Sequence, residues 1–181
     1  AAGEPDEWLR RAGQAGNPEA QKVRDEWTRR ISQRKESAAS GDAEDMEWLG
    51  DTLIGLPSLA CEKGEGEKWL RLAATRTAQA KLNLAERLLD GNGLPQNCTE
   101  GAQLLRDAAT TSTKAKLSLA RRLLDGRGVS ASATEGERLL RELADVGELE
   151  AMTELMKLVA NGKALETTLA ECIAWLTNWS K

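Results

Sequence analysis

The sequence predicts an all-α protein, a solenoid of stacked antiparallel helix pairs. Three observations predict it. The stretch "LLDGNGLPQNCTEGAQLLRDAA" at residues 88–109 is rewritten as "LLDGRGVSASATEGERLLRELA" at residues 123–144, an ungapped offset of 35. Apolar positions within each copy recur at three- and four-residue spacing and rarely alternate, the period of a helix face and not of a strand. Asp-Gly-Xaa-Gly separates the two apolar runs of each copy, where one helix must end before the chain turns back.

The elements follow in chain order. Residues 1–41 read as an irregular N-terminal part with a partial repeat, because "WLRRAGQAGNPEAQ" (residues 8–21) matches the end of one repeat and the start of the next. Residues 22–40 fit poorly and fall about nine residues short of a full repeat, so an irregular or capping helix is expected there. From there four helix-pair repeats run in phase, 42–79, 80–114, 115–149 and 150–181, within a single domain of 1–181. In the second repeat Leu82, Leu84, Ala85, Leu88 and Leu89 mark the first helix, and Ala102, Leu104, Leu105, Ala108 and Ala109 the second. The same register lays "EKWLRLAA" (67–74) over "AQLLRDAA" (102–109) and, with one residue inserted, Leu139-Leu140 over Trp175-Leu176. One helix pair cannot bury its own apolar face, so neighbouring pairs must supply a shared interior.

Glycine punctuates this pattern. Gly91 and Gly126 are expected to end the first helix at positive φ, and Pro95 keeps the connection from continuing as helix. Thr99 and Thr134 are placed to help cap the second helix. Gly66, Gly101 and Gly136 recur inside the second helix, each behind a glutamate, with Cys172 in the matching place of the last repeat. A mid-helix glycine costs about 1 kcal/mol relative to alanine, so this recurrence predicts a close approach of two helices and a small buried role for Cys172. Trp8, Trp69 and Trp175 share one repeat position with Leu104 and Leu139, and are expected in the core.

Composition narrows the chemistry. The 181 residues include six Trp but no Phe, Tyr or His, so bulk must come from Leu and Trp. Without histidine there is no Ser-His-Asp or Cys-His nucleophile pair and no His-ligated zinc or haem site. A formal net charge of −4 argues against a nucleic-acid partner. Cys61, Cys98 and Cys172 form no CxxC pair, which argues against a metal site, and an odd count excludes a fully paired disulfide framework. The Asp-Gly-Xaa-Gly loop lacks the preceding strand and following lysine of a phosphate cradle. No carboxylate pair stands out from surface charge. The expectation is a non-enzymatic chain with no cofactor, metal or small-molecule substrate. No apolar run reaches the roughly 18 residues of a membrane-spanning helix, and no signal peptide is visible. The chain opens within repeat-like sequence ("AAGEPDEW"), as a processed or trimmed product would, so missing signals say little about location.

"A-x-L-x-L-A-x-x-L-L-D-G-x-G-L-P-Q", followed by "W/L-L-R-x-A-A", resembles the Sel-like repeat family, relatives of tetratricopeptide repeats. The resemblance covers residues 42–181 well; it departs at Leu82 and Leu88, where that family usually has Tyr, and at Gly101, where it has Ala. These substitutions conserve burial. The resemblance implies a right-handed α-solenoid whose first helices line a concave surface. Trp48 would then share a column with Asn83, Ser118 and Glu154, as an anchor for a partner; the competing reading packs it beneath the N-terminal helix. A second column holds Thr52, Arg87, Arg122 and Leu158, with Lys81 and Lys116 adjoining. Its arginines would grip carboxylates of an acidic partner, or else form a solvated face beside acids such as Glu86.

Cys61 and Cys98 fall in equivalent loops of adjacent repeats. A disulfide between them requires a loop offset, since packed elements lie about 10 Å apart and bridged Cα atoms under about 7 Å; such a bridge would place the chain in an oxidising compartment. The resemblance further implies a partner protein. The expectation is a bacterial periplasmic or cell-envelope protein, specifically an immunity protein neutralising a cognate secreted, toxic effector. The alternatives are a cytosolic (cytoplasmic) adaptor for regulatory or assembly complexes and a scaffold lipoprotein of an envelope export machine, bound to a secretion component.

Overall fold

The computed structural model describes residues 4–14, 16–59 and 64–179, which are helical with short connections and, among these residues, contain no strand. The helices are α1 (Glu4–Gln14), α2 (Pro18–Ala39), α3 (Ala43–Gly55), α4 (Glu65–Ala74), α5 (Ala78–Asp90), α6 (Cys98–Ala109), α7 (Thr113–Asp125), α8 (Ala133–Asp145), α9 (Leu149–Ala160) and α10 (Leu169–Trp179), with a 3₁₀ turn at Pro57–Leu59. The chain divides into two compact units, Ala1–Asn97 and Cys98–Lys181. This division falls inside the 80–114 repeat, between α5 and α6.

In the first unit each helix packs on the next, from α1 to α5. Its interior joins Ile31 and Ala38 of α2, Met46, Leu49 and Leu53 of α3, Ala73 of α4 and Ala80 of α5, with Trp48, Leu59 and Trp69 packed against them. Residues 22–40, poor as a repeat, are the greater part of one 22-residue helix and its C-cap Ser40; the helix buries only Ala20, Ile31 and Ala38. No glycine or proline interrupts it after Pro18. Asn17 caps its start by accepting from the amides of Glu19 and Ala20 at 2.9 and 3.4 Å.

The second unit repeats the arrangement from α6 to α10. Local geometry recurs with the sequence. Thr77 and Ser112 cap α5 and α7 by accepting from Ala80 and Ala115 amides at 3.1 and 3.3 Å. Gly91 and Gly126 end these helices at φ 67° and 68°, as expected, and the second glycines, Gly93 and Gly128, also hold positive φ. The second helices start earlier than the threonines suggested: Thr99 lies within α6, and Ser132, not Thr134, caps α8. A capping box that the repeat alignment did not reveal starts α10. There Thr168 Oγ1 accepts from the Glu171 amide at 3.3 Å, while Glu171 accepts from the Thr168 amide at 2.7 Å.

The register glycines sit where helices nearly touch. A Cβ on Gly66 would lie 2.7 Å from the Ile54 amide nitrogen and 3.0 Å from the Gly50 carbonyl oxygen; on Gly136 it would lie 3.0 Å from the Ala120 carbonyl oxygen. Gly50, on the facing helix, answers Gly66, since its own Cβ would meet Leu70 Cβ at 2.6 Å. Gly101 is buried, and so is Cys172, whose thiol is pushed up by burial and then by Glu171. Leu82 and Leu88 are buried as expected. The tryptophan position needs correction. Trp8 is 52% exposed, and Trp69 and Trp175 are half-buried. The adjoining residues, Leu9, Leu70, Leu105 and Leu140, take the deep place. Trp175 keeps its indole N–H at the surface, donating to Asp145 at 2.8 Å.

One buried acid holds a connection in place. Glu137 of α8 accepts from the amides of Leu165, Glu166 and Thr167 at 2.6, 3.0 and 2.5 Å. Burial by itself raises this carboxyl; the Thr167 side chain and the three amides outweigh it and hold the group below its ordinary value. A carboxylate depressed by folding stabilises the fold above the ordinary pKa, and the contribution vanishes as pH falls through the folded value.

Two expectations follow for urea denaturation. Gly66→Ala lowers stability by about 2 kcal/mol, whereas Gly55→Ala, with nothing within 4 Å of the added carbon, leaves it equal or slightly higher. Glu137→Gln costs about 2 kcal/mol at neutral pH, and its deficit against the parent shrinks as pH is lowered below the ordinary value of 4.5.

Candidate functional site

The first-helix faces carry the residues expected to bind a partner, and most of their charge is already spoken for. On α3 of the first unit Glu47 and Asp51 stand one turn apart. Asn83 of α5 donates to Glu47 and approaches Asp51 at 3.4 Å. Arg87 donates to Asp51 from Nε at 3.1 Å and Nη2 at 3.0 Å. Burial, and then Asp51 and Glu44 beside it, push the Glu47 carboxyl above its ordinary value. The Asn83 and Arg87 contacts therefore tie α5 to α3 across a partly buried acidic ridge.

The in-register arginines share a second task. Arg87 Nη1 donates to the Asn92 carbonyl at 3.2 Å, and Arg122 Nη1 donates to the Arg127 carbonyl at 3.3 Å. Each reaches from the last turn of its helix onto the Asp-Gly-Xaa-Gly loop that follows. Their recurrence serves the loop. Arg122 is itself buried, which corrects its assignment to an open binding column. Its neighbour Arg121 is the exposed one, meeting Glu150 and Glu154 of α9 at 3.2 and 3.1 Å. The repeat alignment passed over Arg121 because its counterpart is the acid Glu86. Lys116 turns toward the second helix of its own hairpin and meets Glu142 of α8 at 3.3 Å. Thr52, Lys81 and Ser118 are half-buried.

Trp48 is packed beneath the N-terminal helix, and only part of its indole meets water. Its ring stacks on Trp27 of α2, with centroids 6.0 Å apart and planes 14° from parallel. The Arg34 guanidinium lies 4.5 Å over Trp48 and is ion-paired with Asp45. Arg30 lies 5.1 Å from the Trp27 centroid and 5.9 Å from that of Trp48. Trp27 and Arg30 were outside the expected site because they fall in the stretch that breaks the repeat. The signal in the sequence was "WTRR" beside an otherwise unexplained Trp48.

In the second unit an open cleft of about 420 Å³ lies between the start of α6 and the loop after α7, lined by Cys98, Arg106 and Ser130 among others. Cys98 is an exposed free thiol; Cys61, its expected disulfide partner, lies outside the described residues. Among the described residues no group of three or more Cys, Asp or Glu is placed to hold a metal, and no helix is long and apolar enough to cross a membrane.

Comparison with solved structures gives the fold a name. A Sel1 repeat protein from Oxalobacter formigenes matches with a TM-score of 0.66 at 18% identity, over 99% of this chain and 79% of that one. A protective antigen present in uropathogenic Escherichia coli strains, displaying an SLR fold, matches with a TM-score of 0.65 at 21% identity. That likeness covers 96% of this chain but 40% of the antigen, so the chain spans less than half of the antigen's length. Neither a protein-family model nor a curated protein matches the chain. At such identities the likeness is one of fold: the chain has the all-α solenoid fold of Sel-like repeats.

The loop role of the arginines is open to test. Arg122→Gln is expected to lower stability to urea by about 1–2 kcal/mol, because a buried guanidinium contact is lost. Arg121→Gln, which removes only exposed ion pairs, changes it by less than about 0.5 kcal/mol.

Proposed function

We propose that the chain is a non-enzymatic protein–protein interaction module that holds a partner protein on its helical repeats. The observation that carries this reading is the partly buried Trp27–Trp48 pair with Arg30 and Arg34 over it, set on a Sel-like repeat fold. Tryptophan and arginine in contact are the side chains that most often dominate binding energy at protein interfaces. Resemblance to repeat proteins that act as adaptors supports the same reading. In its specific form the module is a bacterial envelope protein, an immunity protein that neutralises one secreted toxic effector in the periplasm. A cytoplasmic adaptor is the second reading; it requires Cys61, Cys98 and Cys172 all to be unpaired, as reducing compartments keep them.

Capture on the immobilised protein from the native organism, followed by mass spectrometry, is expected to yield one dominant partner that binds stoichiometrically in solution. Under the immunity reading that partner is a secreted toxin, and equimolar addition of this protein abolishes its toxicity; a non-toxic cytosolic partner overturns that form. In calorimetry Trp48→Ala is expected to weaken the complex by about 1 kcal/mol or more with helicity retained, and equal affinity removes Trp48 from the interface. A count of three free thiols in the native protein supports the cytoplasmic reading, and a count of one supports a Cys61–Cys98 bridge.

A further inference from the structure

α2 carries six Lys or Arg (Lys22, Arg24, Arg29, Arg30, Arg34 and Lys35) against Glu19, Asp25, Glu26 and Glu36, a net +2 within a chain of formal net charge −4. Part of that charge is answered inside the unit, since Arg34 pairs with Asp45 and Lys35 with Glu65. Arg30 is different. It is exposed and lies over both indoles of the Trp27–Trp48 pair, and among the described residues no hydrogen bond or ion pair takes up its N–H groups. Glu26, one turn earlier on the same face, makes no ion pair with it. Of the acids on α3, Asp45 is taken by Arg34, Glu47 is bonded by Asn83 and Asp51 by Arg87.

A guanidinium resting on an aromatic face is held by that face, while its N–H fork points along its edge, where it matches a carboxylate. The indoles under Arg30 fix its position before any partner arrives and so reduce the ordering that binding requires. Their remaining exposed surface offers apolar contact beside the charge. The arginines first expected to grip an acidic partner, Arg87 and Arg122, are occupied by Asp51 and by loop carbonyls. Arg30 is not.

We infer that Trp27, Arg30 and Trp48 form a docking point for an acidic segment of a protein partner. An Asp or Glu carboxylate sits on the edge of Arg30, and a neighbouring apolar side chain lies against the indole pair. This deepens the proposed function and rests on it. The probe is a hexaglutamate peptide titrated into the whole protein at low salt, read by indole fluorescence, with hexalysine and a single-stranded oligonucleotide of matched charge in parallel. Saturable binding of hexaglutamate is expected, with none of hexalysine. Arg30→Gln is expected to weaken it about fivefold and Arg30→Lys by less, with helicity unchanged, while Arg106→Gln in the second unit has no effect. Absence of saturable binding, equal binding by Arg30→Gln, or an oligonucleotide that binds as tightly as the peptide overturns the docking point. The broader reading fails separately: a parent protein that captures no partner defeats the module whatever hexaglutamate does. A captured partner held equally by parent and Arg30→Gln keeps the module and removes this site.

Discussion

Everything in these helix pairs depends on how closely two backbones can approach. Gly50 and Gly66 let α3 and α4 come within a distance that a single methyl group would forbid, and Gly136 does the same for α8 against α7. At that separation leucines and alanines suffice to fill the interior, which explains how a chain without Phe or Tyr closes a core. Short helices of 10 to 13 residues, as α3 to α10 are, have little stability alone. Their order comes from this packing.

Charge is then used largely within each unit. Arg87 ties α5 to α3, Arg121 ties α7 to α9, and Arg141 of α8 reaches Glu171 of α10 at 2.8 Å. The exposed Arg121 pairs add little stability individually. All these pairs do fix which carboxylates and guanidinium groups remain for a partner. Arg30 stands out against that background because the aromatic pair beneath it holds it in place while, among the described residues, no acid engages it.

Much of the fold was legible because it is periodic. Leu82, Leu88 and Gly91 announce burial and helix termination through position alone, and the second copy at Leu117, Leu123 and Gly126 removes the ambiguity of a single match. The site was less legible for the same reason. Periodicity reports what neighbouring repeats share, so Arg87 and Arg122 stood out although their shared feature is a loop contact. Glu137, Trp27 and Arg30 each occur once, and their partners lie 28 to 30 residues away for Glu137 and across two helices for the indoles. A tryptophan's share of a repeat position also says little about depth: Trp8 is exposed while Leu9 beside it is buried.

The length of α2 has a dynamic consequence. A helix of 22 residues that buries only Ala20, Ile31 and Ala38, beside the partly buried Trp27, has little apolar area anchoring it for its length. Such elements separate from their neighbours at a fraction of the free energy that unfolds the rest of a domain. Amide protons of α2 will therefore exchange with solvent through local opening while those of α3 wait for global unfolding. Whatever clamps α2 onto α3 from outside slows that exchange first, so the earliest signature of an occupied surface is a change in the breathing of one helix.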